Sequence, residues 1–571
     1  MTISKGGTHT ASLIFSAGNW NVKGVLGALS GTAGAGSLNV NNGSVTLSGN
    51  NTGDGAININ NGILSISSAN NLGTGMGAVR LGQTTTSGTL LFTGSSNATI
   101  TRLLRIGNGA SANQGGSATI QNDGTGVLTF DNATFNEAGT SVTARSLTLC
   151  GTNTGNNTIS GVIANNSGAT LNLIKWDVGT WNLTGENTFS NGLQIWEGVL
   201  EFDGNGSLGA QTVQTRIGRI STSGTLRHTG AGNTTVSGQM QIGFGSGGTG
   251  NATIESSGVG TLSFGNATFN VAESGAGANR TLTLGGDNAG ANTISGAIMN
   301  NNNTSSRVSI IKAGSGTWVF AGANTYTGNT TIIGGRLALG ANHTLPDGSA
   351  VSLGAATLDI TTFTDSAGSL DVTAAATINL GTGAALAFAD SRANGWSGGT
   401  LNLTGTFVSG SSLKFGSNAN GLTATQLGKI TASGFSGFAL NTSGYLTAAA
   451  GYAAWQYVNG TTGALDQDHD NDSVSNGVEY FLGGNTNTTG FTQLPGVTDT
   501  DGTRSVTWTK SVGYKGTYGT HFWVESSESL TGTWMNETEG GNVTISGNNV
   551  TYTFPNSLVT RKFARLVVTY P

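Results

Sequence analysis

Apolar residues recur in pairs spaced by two along the first 345 residues, and glycine and asparagine separate the pairs. Between residues 43 and 66 the pairs are Val45/Leu47, Ile57/Ile59 and Leu64/Ile66. An apolar period of two places such side chains on one face of a β-strand. Three short strands in about twenty residues, joined by residues that tolerate positive φ, predict one coil of a parallel β-helix. A sandwich or a propeller is the alternative all-β fold. Propellers repeat every 40 to 50 residues or so, and this repeat length makes them the less favoured alternative.

The same pattern returns over a long period. Segment 43–49 recurs as 179–185 and as 316–322, so successive copies begin 136 and 137 residues apart. An Asn-Thr pair and a second apolar pair follow each copy, namely Asn51-Thr52 with Leu64/Ile66, Asn187-Thr188 with Leu200/Phe202, and Asn324-Thr325 with Leu337/Leu339. Trp181 and Trp318 occupy the position of Val45, which predicts that both rings lie in the core.

Composition narrows the class of protein further. Glycine supplies 95 of the 571 residues, only 9% of residues are charged, and the net charge is −5. A collagen is excluded, because it needs glycine at every third position and abundant proline. Charge-driven disorder is excluded as well, because it needs a high net charge. A nucleic-acid partner is excluded because such binders are basic. A transmembrane helix is excluded because no run of 18 apolar residues occurs.

Two features concern the cellular compartment. Cys150 is the single cysteine, so no internal disulfide can form, and its place after Leu147-Thr148-Leu149 predicts a small buried side chain. Residues 1–7 carry one lysine and lead into a mixed stretch without the apolar core of a secretory signal. We expect that the sequence is a truncated gene product or a processed fragment.

The third copy of the repeat carries a resemblance to a known family. Residues 314–328 read Gly-Ser-Gly-Thr-Trp-Val-Phe-Ala-Gly-Ala-Asn-Thr-Tyr-Thr-Gly, and Gly334-Gly335-Arg336-Leu337 follows. This segment resembles the autotransporter-associated β-strand repeat of bacterial surface proteins; the copies at 179–204 and 43–66 resemble it less closely. The resemblance implies a right-handed parallel β-helical passenger that is exported and then displayed or shed. It does not imply an enzyme.

The character of the chain changes twice after the long repeat. Residues 350–447 still read as short strands and predict the final coils and a cap, with a helical turn over 421–427. An alanine-rich helix is predicted over 448–458, before an acidic cluster at 466–479. Beyond residue 490 five strands separated by turns predict a small antiparallel β-sandwich-like domain. The predicted parts are a β-helical rod over 1–447, a helix and calcium-loop linker over 448–488, and a C-terminal β domain over 489–571.

Residues 468–479 form the strongest candidate for a metal-binding motif in the sequence. They read Asp-His-Asp-Asn-Asp-Ser-Val-Ser-Asn-Gly-Val-Glu. Numbered as a twelve-residue calcium loop, they place oxygen donors at positions 1, 3, 5, 7, 9 and 12, namely Asp468, Asp470, Asp472, the Val474 carbonyl, Asn476 and Glu479. Ca²⁺ takes six to eight oxygen ligands, and alternate residues of a tight loop can supply them. The sequence therefore predicts a Ca²⁺ site.

One position of this loop departs from the pattern. Position 6 is Ser473, where calcium loops have glycine at a sharp turn. A solvated acidic linker is the alternative interpretation. The segment also resembles the thrombospondin-type and dockerin-like loops that precede C-terminal modules of bacterial surface proteins. We expect Ca²⁺ to order the loop and to fix the junction between the rod and the C-terminal domain.

Catalytic motifs are missing from the sequence. The five histidines are scattered, and no nucleophile elbow, zinc spacing or P-loop occurs. A β-helical carbohydrate-active enzyme, a polysaccharide lyase or hydrolase, is the alternative, and the acidic residues that could meet on one face for it are Asp123, Asp131, Glu197, Glu201 and Asp203. Lys175 and Lys312 recur at the repeat spacing, which favours a structural role. Glycan binding is a further alternative, for which the candidate exposed rings are Trp20, Trp176, Trp196 and Trp396.

The sequence as a whole predicts an all-β protein without catalysis. We expect an exported structural or adhesive protein of the bacterial surface, located outside the cell or on the outer membrane, with a calcium-stabilised junction. Its expected partners are extracellular glycans or other cell-surface components.

Overall fold

A computed structural model describes most of the chain. The described residues are 13–22, 37–53, 55–73, 75, 77–83, 85–107, 116–131, 136–137, 144–165, 170–210, 214–244, 250–265, 269–272, 279–300, 306–435, 437–449, 451–452, 455–456, 463–483, 494–511, 513–556 and 561–569. Within the predicted helix over 448–458, residues 450, 453–454 and 457–458 lie outside this set. The chain divides into two compact units, residues 1–386 with 397–399, and residues 387–396 with 400–571. The predicted division at residues 447 and 488 stays a prediction.

Short strands make up most of the described chain up to residue 388. In chain order they are β1 (Leu13–Phe15), β2 (Asn19–Val22), β3 (Leu38–Val40), β4 (Ser44–Leu47), β5 (Ile57–Ile59), β6 (Gly62–Ile66), β7 (Val79–Leu81), β8 (Ser87–Phe92), β9 (Ala98–Ile100), β10 (Leu104–Ile106), β11 (Ser117–Asn122), β12 (Leu128–Phe130), β13 (Asn136–Glu137), β14 (Arg145–Cys150), β15 (Asn157–Ile159), β16 (Leu171–Lys175), β17 (Thr180–Leu183), β18 (Gly192–Ile195), β19 (Gly198–Phe202), β20 (Thr215–Ile217), β21 (Gly224–His228), β22 (Thr234–Val236), β23 (Met240–Phe244), β24 (Ala252–Ser256), β25 (Leu262–Phe264), β26 (Phe269–Ala272), β27 (Arg280–Gly285), β28 (Asn292–Ile294), β29 (Val308–Lys312), β30 (Thr317–Phe320), β31 (Thr330–Ile332), β32 (Arg336–Leu339), β33 (Val351–Leu353), β34 (Thr357–Thr361), β35 (Thr364–Ala367), β36 (Leu370–Val372), β37 (Ala375–Leu380) and β38 (Ala385–Phe388). Two 3₁₀ turns, Ala69–Leu72 and Asn205–Leu208, interrupt them.

These strands form long parallel sheets in which neighbours come from successive coils. The sheet orders in the first unit are β1-β3-β5-β7-β10-β13, β2-β4-β6-β8-β11-β14-β16-β18-β20-β23-β26, β9-β12-β15-β17-β19-β21-β24-β27-β29-β31-β33-β36 and β22-β25-β28-β30-β32-β34-β37. A chain that visits two or three sheets in turn and stacks each strand on the one from the preceding coil is a parallel β-helix. The predicted all-β class and its parallel β-helix are confirmed.

The register of the repeats explains their apolar pairs. Val45 of β4 pairs with Leu64 of β6, and Trp318 of β30 pairs with Leu337 of β32. Trp181 of β17 pairs with Leu200 of β19 in the same way. All these side chains are fully buried. The first apolar pair of each copy therefore stacks directly on the second, and the predicted core positions of Trp181 and Trp318 are correct.

Glycine is required where one turn crosses the next. Gly314 has φ of 67°, and a Cβ atom there would overlap the backbone carbonyl of Gly286 in the preceding coil. Asp177, with φ of 57°, stands at the place of Gly314 in the second repeat. Gly179, the counterpart of Gly316, also lies against the preceding coil, since a Cβ there would come within 2.5 Å of the Gly151 carbonyl oxygen. The glycine that opens each motif thus allows backbones of adjacent coils to touch.

The second unit contains both parallel and antiparallel strands. Its elements are β39 (Thr400–Gly405), β40 (Leu413–Phe415), α1 (Ala424–Leu427), β41 (Ile430–Ala432), β42 (Phe438–Leu440), β43 (Leu446–Ala448), α2 (Asn476–Leu482), β44 (Thr498–Thr500), β45 (Thr503–Thr509), β46 (Phe522–Ser527), β47 (Met535–Asn536), β48 (Val543–Ser546), β49 (Asn549–Thr553) and β50 (Phe563–Val568). β39 and β41 pair in parallel, and α1 begins with a capping box formed by Thr423 and Gln426. Two small antiparallel sheets follow, β44-β45-β49-β48 and β47-β46-β50, which confirms the predicted antiparallel region.

Helix α2 belongs to the hydrophobic core of these last two sheets. Tyr480 and Phe481 of α2 lie in one buried cluster with Val506, Phe522 and Tyr552. Ser511 strengthens the connection, because its amide donates to the Phe481 carbonyl at 2.6 Å. The helix after the acidic loop is therefore part of the C-terminal core. Within the described residues, no helix combines the length and the apolar character that crossing a bilayer requires.

Candidate metal centre

The acidic loop lies between Leu465 and helix α2, and backbone hydrogen bonds hold its ends together. The amide of Gly477 donates to the Leu465 carbonyl at 2.8 Å, and the amide of Asn476 donates to the Gln467 carbonyl at 2.7 Å. Leu465 is itself buried in the C-terminal core. The loop of residues 468–475 is thus closed on a packed base.

Three aspartates converge inside this loop. One carboxylate oxygen each of Asp468, Asp470 and Asp472 lies within 4.8 Å of those of the other two. Asp468 also organises the backbone, since it accepts hydrogen bonds from the amides of Asp472 at 3.2 Å and Ser473 at 2.8 Å. Alternate residues of the loop therefore point their oxygens inward, as the spacing predicts.

Glu479 lies in the first turn of α2, outside the group of three aspartates but near enough for their charges to act on it. Its side chain is fully buried, and both of its carboxylate oxygens lack a hydrogen-bond partner among the described residues. Both carboxylate oxygens of Asp470 are buried without a partner as well. Burial, together with the charges of Asp470, Asp472 and Asp468, raises the pKa of Glu479 to about 7. An unpaired carboxylate among like charges is costly without a cation.

The backbone of the loop turns sharply at two residues. Asn471 has φ of 61° and Ser473 has φ of 75°, both in the left-handed region. Serine at position 6 of the loop therefore adopts the conformation that glycine supplies in calcium loops. Asparagine tolerates this region better than serine does, so Ser473 is the more strained of the two.

Asn476 and Val474, which the sequence predicts as metal ligands, also make hydrogen bonds to residues nearby in the chain. The Asn476 side chain is buried, and its amide nitrogen donates to the Ala464 carbonyl at 3.0 Å. Its oxygen accepts from the His469 amide at 3.1 Å. Val474 is buried, and its amide donates to Asp472 at 2.9 Å. Ligation of a metal by these two residues stays a prediction.

The four tryptophans expected to be exposed divide into two groups. Trp20 and Trp176 are about half exposed, with exposed fractions of 51% and 46%. Trp196 packs edge-on against Trp176, with ring centroids 5.7 Å apart, and the Arg219 guanidinium lies 3.8 Å above the Trp196 ring. Trp396 was expected at the surface, and this expectation is wrong, because its ring is fully buried and contacts Phe415.

Charged residues of the β-helix are engaged in cross-coil contacts. Arg227 of β21 binds Glu201 of β19 at 2.9 Å and Glu255 of β24 at 2.6 Å, so it links three successive strands. Lys175 and Lys312 are buried, and each ammonium donates to three backbone carbonyls. Their recurrence in the sequence was the indication of this shared structural role.

Sequence reasoning missed the function of the asparagine in the repeated Asn-Thr pair. Asn324 accepts from the Ile298 amide at 2.8 Å and donates to the Thr344 carbonyl at 2.7 Å. Asn187 does the same with Ile163 and Ser207 in the second repeat. Each side chain therefore connects the coil before it to the coil after it. Its recurrence after every glycine-flanked strand was the available indication.

Comparison with known proteins agrees with this repeat architecture. The passenger-associated transport repeat family matches residues 34–66, 173–202 and 310–339. Each match ends at the second stacked strand of its copy, at Ile66, Phe202 and Leu339. The chain therefore contains three segments that match this repeat. No solved structure matches it significantly.

One curated relative is similar to a longer part of the chain. The chain is 30% identical over 342 residues to the adhesin BmaC autotransporter of Brucella suis biovar 1 (strain 1330). The match covers 58% of the chain and 10% of the adhesin, so the chain spans about a tenth of that relative's length.

Proposed function

We propose that this chain is the adhesive part of an exported protein that acts at a bacterial surface without catalysis. The observation that carries the proposal is the similarity to an autotransporter adhesin over 342 residues, together with three passenger-associated repeats. Stacked repeats create extended binding surfaces, and this chain forms long parallel sheets. The location that follows is extracellular or on the outer membrane.

Extracellular glycans are the partner that the surface chemistry favours. Trp176 exposes an indole beside Trp196, whose ring is covered by Arg219. Gln194 lies alongside, and its oxygen accepts from Trp196 Nε1 at 2.9 Å. An aromatic face next to polar groups suits a sugar ring, which has one face of C–H groups and hydroxyls at its edge.

Two measurements test this proposal. Protease treatment of intact cells is expected to release peptides of this chain, whereas release only after lysis would refute the surface location. The purified chain is then applied to a panel of polysaccharides and host-surface glycans. Binding is expected to fall at least about tenfold in a Trp176→Ala variant, a loss typical of a stacking contact. Trp20→Ala is the matched control, because it removes an equally exposed indole elsewhere.

The same panel tests the absence of catalysis. Release of reducing or unsaturated sugars by the purified chain would overturn the non-enzymatic proposal. Glu201, one of the acidic residues that a polysaccharide-degrading enzyme would need, is held by Arg227 in this structure. No described carboxylate pair favours the enzymatic alternative over adhesion.

A further inference from the structure

Glu479 is a fully buried carboxylate with no partner for either oxygen among the described residues. Buried ionised groups are ordinarily paired or coordinate a metal, because an isolated buried charge is highly unfavourable. The groups whose charges act most strongly on it are Asp470, Asp472 and Asp468, which repel it. Asp470 likewise has two buried oxygens without a partner. Two buried carboxylates, those of Glu479 and Asp470, are therefore without a hydrogen-bond partner among the described residues.

We propose that residues 468–479 bind one Ca²⁺ ion and that this ion is a structural part of the C-terminal module. The ligands would be carboxylate oxygens of Asp468, Asp470, Asp472 and Glu479 together with the Val474 carbonyl. Asn476 holds position 9 through its bonds to His469 and Ala464. A water molecule commonly fills that position in calcium loops. This proposal is independent of the adhesive function proposed above.

The donor set decides which class of metal fits. All of the proposed ligand atoms are oxygens, and the loop contains no cysteine. Hard oxygen donors in an irregular, flexible arrangement suit Ca²⁺, whereas Zn²⁺ prefers nitrogen and sulfur and Mg²⁺ demands a tighter octahedron. Four carboxylates also supply more charge than a monovalent cation can offset.

Helix α2 transmits metal binding to the core. Glu479 is followed directly by Tyr480 and Phe481, which are buried among the aromatic residues of the two antiparallel sheets. Tyr480 also donates a hydrogen bond to the Gly513 carbonyl at 3.2 Å. An ion that holds Glu479 in place therefore holds the first turn of α2 in the core. Ca²⁺ is expected to stabilise the C-terminal module itself, in addition to ordering the loop.

The first experiment measures binding to the full chain after removal of metal with a chelator. Isothermal titration with CaCl₂, from about 10 µM to about 10 mM, covers the range of extracellular calcium modules. One ion per chain is expected. Thermal unfolding, followed by tryptophan fluorescence, is expected to show a transition that about 5 mM CaCl₂ raises by at least about 3 °C. NaCl of equal ionic strength and MgCl₂ are the controls, and an equal shift with either salt would overturn the proposal.

Variants separate coordination from simple loss of charge. Asp470→Asn and Glu479→Gln are expected to weaken Ca²⁺ binding at least about tenfold and to abolish the thermal shift. Asp466→Asn, which removes an exposed carboxylate just outside the loop, is expected to keep both. Glu479→Gln in chelator is expected to unfold no earlier than the parent chain, because it removes a buried unpaired charge. Unchanged Ca²⁺ binding by Glu479→Gln, or the absence of binding by the parent chain, would overturn the assignment.

Discussion

The indole Nε1 of Trp318 donates a 2.9 Å hydrogen bond to the backbone carbonyl of Gly285 in an earlier coil. Trp181 repeats the contact with the Cys150 carbonyl at 3.1 Å. Each ring also stacks on a phenylalanine, Phe264 or Phe130, with centroids 6.4 Å apart. The two copies share this geometry. The indole is therefore a fixed part of the repeat core, through its packing and through the hydrogen bond of its Nε1.

Replacing Trp318 should separate these two contributions. Trp318→Phe leaves the Gly285 carbonyl without its donor and is expected to cost about 1–2 kcal/mol of unfolding free energy. Trp318→Ala also removes the ring and is expected to cost about 3–5 kcal/mol. Urea unfolding measures both values. Trp20→Phe, at an exposed position, should stay within about 0.5 kcal/mol, and an equal loss there would contradict a specific role of Trp318.

Asn324 should not tolerate replacement by aspartate. The side chain is buried, and its amide nitrogen faces the Thr344 carbonyl, so a carboxylate there would lose the donor and meet another acceptor. Asn324→Asp is expected to lower the unfolding free energy by about 2–3 kcal/mol at neutral pH. Asn329→Asp makes the same change at an exposed position five residues later. Similar stability of the two variants would show that the bridge between coils contributes little.

Lys312 provides the third test, because its ammonium donates hydrogen bonds to three backbone carbonyls. The acceptors are the carbonyls of Ala313 at 2.6 Å, Gly314 at 3.1 Å and Gly334 at 2.9 Å. Lys312→Met keeps the apolar stem but removes all three donors, and is expected to cost about 2–4 kcal/mol. Thermal unfolding is the measurement. Arg307→Met, which removes an exposed cation in the same repeat, is the control and should change stability little.

The same lysines should make stability depend on pH above neutrality. Burial lowers the pKa of Lys312 to about 8 from an ordinary value of 10.5, and burial lowers that of Lys175 to about 8. Between about pH 8 and pH 10 the unfolded chain therefore holds more protons than the folded chain, so the free energy of unfolding should rise with pH. A double variant, Lys175→Met with Lys312→Met, should show a flatter profile. A parent chain that loses stability over this range would contradict the prediction.

Cys150 should be unreactive in the folded chain. Burial, together with the charge of Asp177, raises the pKa of its thiol to about 12, while the thiolate is the form that reacts. At about pH 9 iodoacetamide should leave the native protein unmodified and should label it fully in denaturant, as mass spectrometry can show. Thr152→Cys places a thiol at an exposed neighbouring position and should gain one label in the native state. Labelling of Cys150 under native conditions would mean that this coil opens readily.

Part of the site was predictable from spacing alone. Asp468, Asp470 and Asp472 converge because alternate residues of a short loop point the same way, and this is a local property. The burial of Glu479 was not predictable, because it depends on helix α2 packing against sheets formed by residues that follow it in the chain. Trp396 shows the same limit, since a tryptophan flanked by glycine and serine reads as exposed until Phe415 covers it.

The sequence by itself determined the all-β class, the coil-like repeat and the inward side chains, because a period of two and the recurring glycines are local rules that each coil obeys. Only the tertiary structure decided which carbonyls Lys312 and Asn324 satisfy, and which carboxylates remain without a partner. The physical reason is that the contacts of Lys312 with Gly334 and of Asn324 with Thr344 join residues 22 and 20 positions apart, where stacking of neighbouring coils sets the register. Hydrophobic periodicity fixes which face of a strand is buried, whereas the partners of a buried polar group are fixed by the neighbouring coil.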